Sequence, residues 1–253
     1  MARVIAPFKI VGTIDDLTFF VDQQNVNRVK QKSSGGITKE QFRDNPIFQK
    51  VKDHSKEFGH CSKKSQSFRA AAHYFFKRAK DGSFSGRCNK LMLDIVFEDT
   101  SSPSGLRTVE KGMESPDSIG YFIGFEGNKM RPLQKVLKTK WSWDDEKNQF
   151  TIKSFNPTKH IDWPENADLV HIAVAQSNWN YQEGTFNTEY SEEIIIAKDE
   201  APQKIEVTVN KPLGHHAELT YVFIGFSIKD RKRIKELPRI NNTVSIIQSK
   251  IKT

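Results

Sequence analysis

The chain has few of the residues and motifs that usually announce a function. Its only two cysteines, Cys61 and Cys88, cannot build a disulfide framework, and their scarcity suits a reducing compartment. No Cys-x-x-Cys or activating partner accompanies them, so both are expected as small core residues rather than nucleophiles. No run of about 18 apolar residues occurs, which excludes a membrane helix. The first residues, Met1 to Lys9, carry one early Arg and an apolar core too short for a signal peptide. The expectation is a chain made in the cytoplasm that stays there, or leaves as part of a particle by a route needing no such signal, with no membrane partner. Phosphate-binding glycine loops, nucleophile elbows and dinucleotide fingerprints are all missing. There is no internal repeat and no low-complexity tract.

Phenylalanine and positive charge are plentiful. Eighteen Phe residues, with 36% hydrophobic and 28% charged residues, fit a soluble globular chain with well-packed sheets. The net charge is +8, and it is unevenly spread. Residues 1–98 hold 18 basic and 10 acidic side chains, residues 99–228 hold 13 and 19, and residues 229–253 hold 8 and 2. Two basic ends around an acidic middle suit a polyanion, or the acidic face of a neighbouring copy.

Along the chain, Phe8–Val11, Leu17–Val21 and Val26–Gln31 read as a three-stranded meander with Asp and Gly turns. Thr38 with Gln41 forms a capping box, and Asn45-Pro46 opens a new helix. Ile47, Val51, His54 and Phe58 recur at helical spacing, and Gly59 is expected to break or kink that helix. A second helical run, Cys61 to Lys80, places Cys61, Ser65, Phe68, Ala72, Phe75, Phe76 and Ala79 on one side. Its other side is basic. Residues 89–98 read as a further helix, with a strand as the alternative, 107–113 as a short strand, and 116–125 as a short helix after Ser115-Pro116. From about Leu133 the period changes to two. Strands are expected near 133–139, 148–155, 168–176, 192–198, 203–210, 218–228 and 243–249, with 231–239 as a projecting loop. Seven strands at this spacing argue for an antiparallel immunoglobulin-like sandwich. The fold class is therefore α+β: a basic β-meander with helices over 1–130, then an immunoglobulin-like β-sandwich over 131–253.

The opening carries a specific run of blocks: Met1-Ala2-Arg3, Gly12 to Phe19, Arg28, Gly35-Gly36, Asn45-Pro46-Ile47-Phe48 and Glu57-Phe58-Gly59. In that order they resemble an uncharacterised family of short basic bacterial proteins. The second half is similar in layout to unannotated bacterial proteins with a C-terminal β-sandwich, and the hairpin-plus-helix part resembles small phage-like structural proteins. The resemblance implies no activity.

For sites, His215-His216 lacks the third and fourth ligands that a metal needs and reads as a solvated turn. Acid pairs Asp144-Asp145 and Glu192-Glu193 read as turn and strand-edge residues. His160 and His171 read as surface or strand residues. No catalytic, cofactor or metal residue is expected, and no small-molecule substrate. The candidate interaction surface is basic: Lys63, Lys64, Arg69, Lys77, Arg78 and Lys80 on the helical run, with Arg231, Lys232, Arg233 and Lys235 in the late loop. Two functions compete for it. The leading one is a non-enzymatic, self-assembling subunit of a filament, tube or virion-like particle, whose partners are other copies of itself. The alternative is sequence-independent nucleic-acid binding, which would be salt-sensitive.

Overall fold

The computed structural model describes residues 2–32, 36–230 and 233–251. The chain forms two compact units, Met1–Gln49 and Lys50–Thr253. The boundary expected near residue 130 falls inside the second.

In the first unit, strands β1 (Ala2–Arg3), β2 (Gly12–Ile14), β3 (Leu17–Val21) and β4 (Asn27–Gln31) form an antiparallel sheet in the order β1-β4-β3-β2. The first expected strand, 8–11, is irregular, and β2 takes up pairing with β3 only from Gly12. The β3–β4 turn is set by Asp22. Its carboxylate accepts the N–H groups of Gln24 and Val26, both at 2.9 Å, and the Arg28 Nε–H at 2.7 Å. Helix α1 (Lys39–Asp44) starts with the expected capping box, because Thr38 and Gln41 exchange side-chain and backbone hydrogen bonds. Asn45 then caps a single 3-10 turn with Pro46 at its first position.

The second unit is an α+β assembly with helices on one face of a large antiparallel sheet. Helix α2 (Gln49–Ala71) continues through Gly59 without the break that was one of the two expected outcomes there. The buried line Glu57, Cys61, Ser65, Phe68 and Ala71 holds it together. Packing of that line outweighs the roughly 1 kcal/mol helix penalty of a glycine. The helix stops at Ala71, whose carbonyl accepts the Thr188 hydroxyl at 2.6 Å, and α3 (His73–Arg78) follows at once. Next come α4 (Phe84–Phe97) and the short α5 (Val109–Gly112). Residues 107–113, expected as a strand, coil instead because Thr108 caps the Lys111 N–H. Ser118–Phe122 is a 3-10 turn, and α6 (Leu133–Val136) replaces the strand expected over 133–139. Pro132 opens α6, and Leu133 and Val136 fall on one buried side at i, i+3.

The remaining strands are β5 (Ser142–Asp144), β6 (Gln149–Phe155), β7 (Leu169–Asn180), β8 (Thr185–Tyr190), β9 (Ile194–Ala197), β10 (Gln203–Thr208), β11 (Ala217–Asp230), β12 (Arg233–Glu236) and β13 (Thr243–Ile251), with α7 (Pro157–His160) after β6. Strands β7 and β11 pair along eleven residues from Ala217↔Trp179 to Ser227↔Leu169. Strands β8 and β9 flank β7, and β12 and β13 flank β11. A separate three-stranded sheet runs β10-β6-β5.

Alternation along β7 and β11 feeds two cores. Ala173, Ala175, Trp179, Leu219, Tyr221 and Phe223 pack with Phe68, Phe75, Phe76, Met92, Ile95 and Phe122 from the helical layer. Val170, Ile172, Val174, Val222, Ile224 and Phe226 pack instead with Phe150, Ile152, Ile205 and Val207 of the small sheet. The central strands are thus covered on both faces, which is why their sequences are apolar with little alternation. Among the described residues no helix is long and apolar enough to cross a membrane.

Candidate functional site

The helical basic run divides into three environments. Lys63 is exposed and Lys64 is largely enclosed. The Lys64 ammonium sits 2.5 Å from Glu110 and donates to the carbonyls of Tyr181 and Gln182, both at 2.7 Å. His60 meets the same carboxylate at 2.8 Å. Burial raises the Glu110 carboxyl, but the Lys64 hydrogen bond and the charges of His60 and Lys64 bring it below the ordinary carboxylate value. These residues border a hollow of about 540 Å³.

One turn further on, Arg69, His73, Lys77 and Lys80 surround a second hollow of about 240 Å³. Arg69 is held in place, with Nε donating to the Ser65 carbonyl at 3.1 Å and Nη1 to the Ser85 hydroxyl at 2.7 Å. Gln66 and Ala70 border both hollows, so the two are neighbours along α2.

Arg78 belongs to neither. It makes ion pairs with Glu193 and, at 2.8 Å, with Glu236, and its guanidinium lies over the rings of Phe223 and Tyr74 at 4.3 and 4.9 Å. The residue expected on a free basic face is instead a clamp between α3 and the sheet. Its partner Glu193 also meets His171 Nδ1 at 3.0 Å, and His171 Nε2 meets the Ser227 hydroxyl at 2.7 Å. Burial raises the Glu193 carboxyl, but hydrogen bonds from His171 and Arg78 dominate and leave it at about 2. Hydroxyl, imidazole and carboxylate stand here in the order a serine nucleophile uses. Ser227, however, has no exposed surface, so its hydroxyl cannot meet a carbonyl arriving from solvent. The array ties β7, β9 and β11 together. His171 and Glu193 were legible only as strand and strand-edge residues, and their junction depends on the β7–β9 register.

Of the late basic group, Arg231 and Lys232 lie outside the described residues. Arg233 and Lys235 are exposed on β12, which pairs with β11 through Asp230↔Arg233 and Ile228↔Lys235. Within the segment expected as a projecting loop, 233–236 is therefore an edge strand, followed by the 3-10 turn Arg239–Asn241 after Pro238.

Cys61 and Cys88 are buried and unbridged, and burial pushes both thiols up to about 12, so neither forms a thiolate at neutral pH. His215 and His216 lie in the connection between β10 and β11.

Among the described residues of the first unit no apolar side chain is buried, and its one buried residue is Asn27. Ile5, Phe8, Val11, Ile14 and Ile47 are each more than half exposed. On α2 in the second unit, Val51 and Phe58 also face solvent, at 54% and 51%. Their helical spacing is genuine, but no core receives it. Against protein-family models, curated proteins and solved structures, the chain has no match.

Proposed function

We propose that the protein is a non-enzymatic, self-assembling structural subunit, and that the first unit docks on a second copy of the chain. The observation that carries this reading is that, among the described residues of the first unit, no apolar side chain is buried. A four-stranded sheet with a short helix needs a buried apolar face to be stable, and here the described apolar side chains are exposed or at most half-buried. A second copy fits as the occupant because the charges complement: residues 1–49 hold 7 basic and 5 acidic side chains, a small positive excess, and residues 99–228 hold 13 and 19. Opposite charges steer and register such a contact, while apolar burial supplies most of its affinity. A head-to-tail contact of this kind continues into filaments or rings. The six-stranded and three-stranded sheets, facing each other across one core, support an immunoglobulin-like reading of the later part, with a helical layer added outside.

Light scattering after size-exclusion chromatography, with negative-stain microscopy, tests the proposal. The full chain should assemble as concentration rises, and the fragment 50–253 should remain monomeric. A full chain that stays monomeric at high concentration across salt removes the proposal.

A second reading, sequence-independent nucleic-acid binding, is favoured by Lys63, Lys77 and Lys80. Among the described residues none of these three has a carboxylate within ion-pair distance. Affinity would fall steeply with salt, with little preference among sequences.

A further inference from the structure

The hollow between α2, α3 and α4 has a composition of its own. Arg69 comes from the last turn of α2, His73 and Lys77 stand at i, i+4 on α3, and Lys80 follows that helix. Ser85 and Phe84 close the far side from the first turn of α4. The cationic Arg69, Lys77 and Lys80, with His73, the Gln66 amide and the Ser85 hydroxyl, thus face one space of about 240 Å³ whose lining contains no carboxylate. The neighbouring hollow differs, since Glu110 and Glu183 share it with Lys63 and Lys64.

Cations crowded together without an acid repel one another, and a bound anion relieves that repulsion. Arg69 suits such an anion. Two of its nitrogens are fixed by Ser65 and Ser85, so the fork is oriented before a ligand arrives. Phe76 and Phe84, with ring centres 4.6 Å apart, give the hollow an apolar wall. Lys77 is exposed at the rim and can reach an incoming group at little ordering cost.

We infer that this hollow binds a phosphate monoester, through Arg69, Lys77, Lys80 and the Ser85 hydroxyl. A dianionic terminal phosphate matches several cations better than a singly charged backbone diester does, and the space accepts one such group with part of what it is attached to. The inference deepens the nucleic-acid reading by naming the group recognised. It holds equally if the source is a small phosphorylated compound.

Calorimetric titration of the full chain with inorganic phosphate, AMP and adenosine tests it. Phosphate and AMP should bind and adenosine should not. Lys77→Gln and Lys80→Gln should each weaken AMP binding about tenfold, as loss of a hydrogen bond to a charged group does. Lys63→Gln, in the neighbouring hollow, should leave it unchanged. Both lysines lie at the surface, and circular dichroism checks that the variants fold. A further arm compares an oligonucleotide with and without a 5′-phosphate. Preference for the phosphorylated end, competed by free phosphate, supports both the hollow and the nucleic-acid reading. Binding of AMP with no oligonucleotide binding keeps the hollow and removes the nucleic-acid reading. Oligonucleotide binding indifferent to the terminal phosphate, with no AMP binding at millimolar concentration, overturns the hollow.

Discussion

Glu126 and Glu193 titrate in opposite directions for one reason each. Glu126 is half-buried where Arg87 donates to its backbone carbonyl and the Leu133 N–H meets its carboxylate at 3.1 Å. Burial dominates there and pushes the carboxyl up to about 7. Between the unfolded value near 4.5 and about 7 the folded chain holds a proton that the unfolded chain has lost, so Glu126 makes stability fall as pH rises through that window. Glu193 at about 2 does the reverse: its contribution is present above the unfolded value and is lost as pH falls toward 2. Glu126→Gln should therefore gain stability over wild type as pH rises from about 4.5 to 7. Full conversion of the shift would be about 3 kcal/mol, and solvent at the half-buried carboxylate reduces the expected gain to ~1–2 kcal/mol. Thermal midpoints across pH check this. A gap between variant and wild type that does not change with pH would show that Glu126 ionises as it does in water.

Two glycines separate what helical pattern reveals from what packing decides. Gly59 sits within α2 with nothing within 4 Å of where a Cβ would stand. Gly112 ends α5 with the Ile95 carbonyl oxygen of α4 only 2.0 Å from that position. Gly59→Ala should stabilise the protein by roughly 0.5–1 kcal/mol, through helix propensity alone. Gly112→Ala should destabilise it by ~1–3 kcal/mol or more, because α5 must leave α4. Denaturant unfolding of both variants is the measurement, and equal effects would contradict the packing. From sequence, Gly59 reads as a breaker and Gly112 cannot be told from a strand residue, since close approach of two elements is a tertiary fact. Elements with local causes were legible: the Thr38 capping box, the Asn45-Pro46 start, the buried line from Cys61 to Ala79, and strands β6, β7, β10, β11 and β13. Short elements were not. α5 and α6 are four residues each, too short for a period to emerge, and β8 has no buried residue and no alternation to reveal it. Of the candidate site, the basic residue types were legible. Their division was not, because Glu110, Glu193 and Glu236, which claim Lys64 and Arg78, come from distant parts of the chain.

For the whole molecule, the core decides which part of the chain can stand alone. The period change near residue 133 suggests an autonomous sandwich, and cutting there keeps every strand from β5 to β13. It also removes the helices that cover the face bearing Trp179, Leu219, Tyr221, Phe223 and Ile246, each fully buried or nearly so. Returning five such side chains to water costs about 2 kcal/mol each, or about 10 kcal/mol together, which equals the whole stability of a typical domain. The fragment 131–253 should therefore show no cooperative thermal transition and should aggregate through that face. The fragment 50–253 keeps both cores and should unfold cooperatively, as a single unit does. Circular dichroism melts of the two fragments separate the cases. Cooperative melting of 131–253 with sheet signal intact would mean that the small-sheet core suffices by itself and that the helices are an addition to the domain rather than half of it.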